Sequence, residues 1–233
     1  MADATPVAVE MTGDVAVIRI DDGKANALSP ALIDEFVTAL ASTAAGPGAV
    51  VIAGRPGRFS AGFDLSVMTS GADAARSLLR DGTGLLLAMY SHPRPVVVAA
   101  TGHALAAGAL MLLAADLRIG AEGDFKIGLN EHAIGMPLPA FALELAADRL
   151  SRRHLTRATA LAEIYDPAGA VDAGYLDETA ADPVAEAITR ATTISETIDM
   201  TAFAGTRARM RSALVDRVRA GLEEDLAKFS LSG

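Results

Sequence analysis

Hydrophobic and polar residues alternate along two segments near the start of the chain, Val7–Thr12 and Val15–Ile20. This period of two is typical of β-strands with one buried face, and the Gly-Asp pair between them predicts a hairpin. Residues 49–53 and 95–100 are apolar throughout. Short continuous apolar runs are typical of strands that are covered on both faces of a parallel sheet.

Helical periodicity separates these strands. Ser29-Pro30 opens a segment that runs to about residue 40 and places Leu32, Phe36 and Leu40 on one face, and a second helix is predicted for residues 72–90. Strands that alternate with helices predict repeated ββα units on a mostly parallel sheet with crossover helices.

The pattern becomes helical after residue 137. We predict helices at 140–150, 152–164, 184–195 and 207–229, with no further strand. The last helix has one apolar stripe, which comprises Met210, Leu214, Val218, Leu222, Leu226 and Phe229. The chain is therefore predicted to consist of a ββα core over residues 1–180 and a helical region over residues 181–233.

Composition excludes several classes of function. The net charge of -9 over 233 residues disfavours a nucleic-acid surface. Cysteine is absent, and the four histidines lack metal-ligand spacing, so no metal site is predicted. The longest apolar run, residues 104–115, is too short to span a membrane, and residues 1–18 do not resemble a targeting signal. We expect a soluble, cytoplasmic protein.

Three glycine-containing segments carry the candidate chemistry. Residues 57–65 and 102–113 each follow a strand, where free backbone N–H groups can bind an oxyanion and two facing donors would polarise a carbonyl. Residues 126–137 place Glu131 in an apolar stretch, where burial would raise its pKa and suit it to act as a general base. Each signal also has a structural explanation, since such turns are common and a lone Glu is often a cap or a paired acid.

Other polar residues have simpler structural interpretations. Asp64 is suited to cap the helix that follows it, and His103 and His132 are interpreted as structural. Asp116 and Arg118 are expected to form a buried pair or to cap the end of a helix.

Taken together, in this order and spacing, the three segments resemble the crotonase superfamily, the enoyl-CoA hydratase/isomerase group. The resemblance extends from about residue 15 to residue 176 and includes Asp22-Gly-Lys-Ala-Asn-Ala-Leu28 and Ala170-Val-Asp-Ala-Gly-Tyr-Leu176. It implies an α/β fold, a spiral of ββα units followed by a helical trimerisation region, and assembly as a homotrimer or hexamer.

The resemblance also implies roles for individual residues. The peptide N–H groups of Ala61 and Ala107 would hold the thioester oxygen of an acyl-CoA, and Lys24 and Arg58 would be available for its phosphates. The substrate itself carries coenzyme A, and no separate cofactor is implied. The residues implied to contact coenzyme A are Lys24, Ala25, Ser60, Gly62, Phe63 and Asp64.

The catalytic acids bear on the reaction. Family hydratases have two glutamates, and this chain has Leu110 at the first position and Glu131 at the second. This pattern is similar to that of Δ3,Δ2-enoyl-CoA isomerases, in which one carboxyl group would move a proton from C2 to C4. The alternatives are a 2-enoyl-CoA hydratase of fatty-acid β-oxidation and, in a different class, a non-catalytic acyl-CoA-binding protein.

Overall fold

The computed structural model describes residues 5–228. Its strands are β1 (Val7–Thr12), β2 (Val15–Ile20), β3 (Ala27–Leu28), β4 (Val50–Ala53), β5 (Gly57–Ser60), β6 (Gly62–Phe63), β7 (Val96–Ala100), β8 (Gly102–Leu105), β9 (Leu117–Ala121), β10 (Ile127–Gly128) and β11 (Glu178–Ala180). Its helices are α1 (Pro30–Ser42), α2 (Leu65–Met68), α3 (Ala72–Tyr90), α4 (Ala107–Ala114), α5 (Ala140–Arg149), α6 (Leu155–Ala158), α7 (Pro167–Ala173), α8 (Pro183–Thr197) and α9 (Met200–Lys228).

The strands form one large sheet and two small ones. The large sheet has the order β1-β2-β4-β7-β9-β11, and β1 and β2 form the predicted antiparallel hairpin. The other pairs in this sheet are parallel. A three-stranded parallel sheet, β10-β8-β5, lies beside it. Successive units therefore place their first strand in the large sheet and their second in a small sheet, which is the predicted ββα repeat.

Both faces of the large sheet are covered, as the apolar runs predicted. Val51 and Val97 face α8, where they pack with Ala187 and Ala191. The neighbouring strand residues face the main core, which α1, α3 and α4 help to form. Full burial on both faces explains why β4 and β7 show no polar positions.

Two expectations for the segment after residue 137 are wrong. The helix predicted for residues 152–164 is reduced to α6, because Ala162 adopts a φ of 49° and Tyr165 pairs with Ile127 through hydrogen bonds in both directions. The chain also returns to the large sheet as β11, beside β9. That strand is three residues long and half-exposed, so it has no apolar pattern to reveal it.

The last helix begins earlier than predicted. It begins at Met200 rather than at residue 207, and Phe229 lies outside the described residues. Met210, which was assigned to the apolar stripe, is 75% exposed. The stripe residues from 214 to 226 are buried or half-buried, as predicted. Two arginines of the same helix, Arg207 and Arg211, are also buried and donate to backbone carbonyl groups at the end of α3.

The expected pair between Asp116 and Arg118 does not form. Arg118 pairs with Asp177 at 2.7 Å, while Asp116 accepts from Arg207 at 2.7 Å and from Arg211 at 3.0 Å. Asp116 precedes β9 and Arg118 lies within it, and each side chain is paired with a partner from a different, distant segment of the chain. Among the helices of residues 5–228, none is long and apolar enough to cross a membrane.

Candidate active site

The site begins at a loop that Asn26 fastens to two strands. Its buried side chain donates to the carbonyl oxygens of Ile20 and Phe59 at 2.9 and 3.1 Å. Asp22 closes the loop by accepting from the backbone N–H groups of Lys24 and Asn26. Asn26 adopts a φ of 51°, a conformation that asparagine tolerates better than most residues. The loop is thereby held against the end of β5.

At the turn from β5 to β6, Ala61 does not offer a free donor. Its N–H donates to the carbonyl oxygen of Ala25 at 3.0 Å. This geometry argues against the oxyanion role that the resemblance implied for Ala61, because an N–H group already paired with a backbone carbonyl is unavailable to a ligand.

The adjacent strand residue, Phe63, is better oriented. The N–H of Asp64 donates to Leu28 on β3 at 3.2 Å, and successive N–H groups along an extended strand point to opposite sides. The N–H of Phe63 is therefore directed away from β3. Gly62 lies between Ala61 and Phe63 and adopts a φ of 90°, which glycine tolerates. This conformation allows the N–H groups of Ala61 and Phe63 to have different surroundings.

The start of α4 provides the second donor. Ala107 is the first residue of the helix, where N–H groups have no partner within the helix, and no side chain caps it. The preceding residue, Ala106, has a φ of 50° and a ψ of -124°, so the backbone adopts the strained turn despite its methyl group. A Cβ atom added to Gly62 would lie 3.1 Å from the nitrogen of Ala107. Glycine at this position therefore leaves space in front of the donor.

Strand pairing brings Glu131 to the same place. Gly128 of β10 is paired with Leu105 of β8, and the N–H of Ala106 donates to the carbonyl oxygen of Gly128 at 3.0 Å. Because β5, β8 and β10 are parallel, the residues that follow them gather at one edge of the small sheet. Phe63, Ala107 and Glu131 all lie at this edge.

The carboxyl group of Glu131 is buried, and one of its two oxygens has no hydrogen-bond partner. The residue is 7% exposed, and its Oε2 atom has no hydrogen-bond partner. Burial disfavours the charged form and raises the pKa of Glu131 to about 7, as the apolar sequence around it predicted. A general base is most effective when its pKa lies near the working pH, so this carboxyl group is suited to proton transfer.

Helix α4 has a leucine at the position where family hydratases have their first glutamate. Leu110 lies one turn after Ala107 in α4 and is 1% exposed. Its side chain neither donates nor accepts a hydrogen bond. The arrangement therefore has one buried carboxyl group and two candidate backbone donors.

A basic cavity adjoins this edge. Its volume is about 270 Å³, and it is lined by Ala25, Arg58, Ala61, His103, Leu105 and Lys126. His103 accepts from the backbone N–H of Lys126 at 2.9 Å, and burial together with the positive charges of Arg58 and Lys126 lowers its pKa. Two cations at one small cavity provide the local positive charge that an acidic chain needs to hold a phosphate group.

Two of the residues assigned to coenzyme A contact have structural partners. Asp64 caps α2 by accepting from the N–H and hydroxyl groups of Ser66, and that hydroxyl hydrogen bond lowers the pKa of Asp64. Ser60 donates its hydroxyl group to the carbonyl oxygen of Asn26 at 2.8 Å. Lys24 is exposed and lies near enough to Asp64 for its charge to lower that pKa further.

Sequence reasoning missed three residues of this region. Lys126 and His103 line the basic cavity only because β8 pairs with β10, a contact that no local pattern reveals. Tyr175 is fully buried, and its hydroxyl group has no hydrogen-bond partner. Burial is the largest cause of the raised pKa of Tyr175, and the negative charges of Tyr165 and Glu131 raise it further. Within residues 5–228, no cluster of potential ligands is suited to a metal ion.

Comparisons with known proteins identify the family of the chain. A family model described as Enoyl-CoA hydratase/isomerase matches residues 10–231. The chain is 29% identical over 232 residues to mitochondrial enoyl-CoA delta isomerase 1 of Rattus norvegicus, a match that covers 96% of this chain and 80% of the relative. It is 37% identical over 132 residues to a probable enoyl-CoA hydratase of Bacillus subtilis, covering 55% of this chain and 50% of that relative.

A solved structure extends the agreement to the fold. An enoyl-CoA hydratase/isomerase family protein from Pseudomonas syringae superposes with a TM-score of 0.91 at 40% identity, covering 97% of this chain and 98% of that one. The α/β crotonase fold expected from the resemblance is thus confirmed. The chain belongs to the enoyl-CoA hydratase/isomerase family of enzymes.

Proposed function

We propose that this enzyme is a Δ3,Δ2-enoyl-CoA isomerase in which Glu131 is the single acid and base. The observation that carries the proposal is the combination of a buried carboxyl group at residue 131, whose Oε2 atom has no hydrogen-bond partner, with leucine at residue 110. Moving a proton between two carbons of one substrate needs one group that alternately accepts and donates, and Glu131 has a pKa of about 7 for this task.

The proposed reaction begins with the ionised carboxylate of Glu131, which takes a proton from C2 of a 3-enoyl-CoA. The electrons of the broken C2–H bond form a C1=C2 double bond, and the thioester oxygen becomes negatively charged. The N–H groups of Phe63 and Ala107 are proposed to stabilise this charge, because one faces away from β3 and the other is an uncapped donor at the start of α4. The protonated Glu131 then returns the proton to C4, which leaves the double bond between C2 and C3 and restores the carbonyl group.

Phe63 takes the place of Ala61 as the first donor in this proposal. The Ala61 N–H is engaged with Ala25, whereas the Phe63 N–H faces away from the strand beside it. Loss of one donor of this type typically lowers the rate by a factor of about 100 to 1,000. The choice between Ala61 and Phe63 as the first donor therefore concerns a large part of the rate enhancement.

The coenzyme A portion is proposed to bind along the Asn26 loop and the basic cavity. Lys24, Arg58 and Lys126 would contact its phosphate groups, and Ala25 lines the cavity beside them. The homotrimer or hexamer implied by the family resemblance remains a prediction, for which size-exclusion chromatography with light scattering is the direct test.

A hydratase is the second candidate, and the similarity to the hydratase of Bacillus subtilis favours it. Hydration requires a water molecule held between two polar groups, and the leucine at residue 110 provides no hydrogen bond. Hydratase activity that is unchanged in Leu110→Ala but strongly increased in Leu110→Glu would favour a hydratase that has lost one acid. A third candidate, a non-catalytic acyl-CoA-binding protein, predicts thioester binding in calorimetry with no turnover.

The experiment compares a trans-3-enoyl-CoA with a trans-2-enoyl-CoA and follows the absorbance of the conjugated thioester. The proposal predicts a gain of absorbance from the first substrate, lost in Glu131→Gln and retained in the control Glu122→Gln, whose acid is exposed. A loss of absorbance from the second substrate alone would support hydration. Full turnover in Glu131→Gln would overturn the mechanism.

A further inference from the structure

The ring of Phe63 lies directly against the middle of α3. A Cβ atom added to Gly82 would come closer than 3.0 Å to both Cε1 and Cζ of this ring, a separation that real side chains do not adopt. Gly82 is buried and lies in the interior of a 19-residue helix. The absence of a side chain at this position creates a notch, defined by Gly82, that receives the Phe63 ring.

Helix propensity does not explain glycine at this position. Glycine in the interior of a helix is destabilising relative to alanine, because it loses more backbone freedom on folding. Gly84, two residues farther along, has no atom within 4 Å of its added Cβ and lies on the exposed side of the helix. The two glycines therefore differ in the one respect that matters here, since only Gly82 contacts the ring.

Phe63 connects this notch to the chemistry. Its side chain packs into α3, and its backbone N–H is the first oxyanion donor of the proposed function. The chain on either side is also fixed, by the hydrogen bond from Asp64 to Leu28 and by the cap that Asp64 provides for α2. A displaced ring would transmit its movement to the N–H group of the same residue.

We propose that Gly82 is a positioning residue that sets the oxyanion donor of Phe63 by accommodating its ring. This inference rests on the proposed function, because it assigns the Phe63 N–H to the thioester oxygen. Gly82 itself touches neither the substrate nor Glu131, so its effect on the reaction passes through Phe63. A misplacement of about 1 Å at a reacting group can lower a rate by about 100-fold.

Gly82→Ala tests the proposal, with Gly84→Ala as the matched control on the same helix. We expect Gly82→Ala to lower kcat by a factor of about 10 to 100 while KM changes by less than about threefold, since the cations proposed to bind the phosphate groups of coenzyme A do not contact the Phe63 ring. Gly84→Ala should retain wild-type kcat and KM. Circular dichroism and the thermal midpoint of each variant report whether it is folded.

Rescue distinguishes positioning from general damage to the fold. Leucine has no atoms at the positions of Cε1 and Cζ and retains the backbone N–H, so Phe63→Leu relieves the clash with an alanine at residue 82. We expect the double variant Gly82→Ala with Phe63→Leu to have a kcat within about threefold of Phe63→Leu alone, which is a strongly non-additive result.

Two results would overturn the inference. One is a wild-type kcat in Gly82→Ala, which means that the ring turns aside without moving the donor. The other is a double variant whose kcat is lowered by the product of the factors found for the two single variants. Failure of the proposed function is a separate outcome, because the wild-type protein would then not isomerise the substrate at all.

Discussion

The ionised side chain of Glu131 is predicted to lower the free energy of unfolding, although the proposed reaction requires it. Burial gives this carboxyl group a pKa of about 7 in the folded chain, compared with the ordinary glutamate pKa of 4.5. The usual conversion of about 1.36 kcal/mol per pH unit makes this difference worth about 3 kcal/mol. The cause is burial of a charge that has no ion pair and whose Oε2 atom lacks a hydrogen bond.

The sign follows from proton binding. Between pH 4.5 and pH 7 the folded chain retains a proton at Glu131 that the unfolded chain has released. The free energy of unfolding therefore falls as the pH rises through this window, and the loss is complete above the folded-state pKa. Glu131→Gln cannot ionise and escapes this loss, although its amide is buried in the same place.

The assay is urea unfolding of wild type and Glu131→Gln, followed by circular dichroism at several pH values and one protein concentration. The variant should gain about 3 kcal/mol relative to wild type between about pH 4 and about pH 8, while losing isomerase activity. The exposed control Glu122→Gln should show no comparable change with pH. A difference between Glu131→Gln and wild type that is independent of pH would refute the reasoning, because it would mean that the carboxylate is solvated or paired.

Three further predictions concern activity and the two strained or charged features beside the base. First, kcat/KM should fall about tenfold per pH unit below a pKa near 7, because only ionised Glu131 can accept the C2 proton; a profile flat from pH 5 to 8 contradicts this. Second, Ala106→Gly should raise the free energy of unfolding by about 1 kcal/mol by relieving a φ of 50°, and thermal unfolding that shows a loss of stability would contradict the strain. Third, Lys126→Ala should raise KM for coenzyme A thioesters about five- to tenfold at unchanged kcat, with no effect on the matching pantetheine thioesters; equal effects on both would mean that Lys126 does not contact a phosphate group.

Most of the fold was predictable because burial leaves a local pattern. The hairpin of β1 and β2 and the fully apolar β4 and β7 are visible as periods in the sequence. Strand β11 and the short α6 were not predictable, since each is determined by a distant partner, β9 in one case and the pairing of Ile127 with Tyr165 in the other. Long-range pairing overrides weak local preference in such segments.

The same distinction applies to the site. Burial of Glu131 follows from the apolar residues around it and was expected. The choice between the N–H groups of Ala61 and Phe63 depends on the direction of a peptide plane, which the positive φ of Gly62 reverses. No residue pattern specifies this direction. The contribution of Lys126 likewise depends on the register between β8 and β10.

The buried arginines show a further limit. Arg207 and Arg211 occupy core positions of α9 that a hydrophobic pattern assigns to solvent. They are buried because Asp116 and the carbonyl oxygens at the end of α3 satisfy their donors. A sequence shows the charge of such residues but not the partners that neutralise it.

Chromatography of the product formed from a trans-3-enoyl-CoA, with both absorbance and mass detection, tests the central claim most directly. Isomerisation by Glu131 rearranges the substrate without adding atoms, so the account predicts a product of unchanged mass with a conjugated double bond. The product should be absent when Glu131→Gln replaces the wild-type enzyme. A product heavier by one water molecule, or a conjugated product formed equally well by Glu131→Gln, would contradict the account.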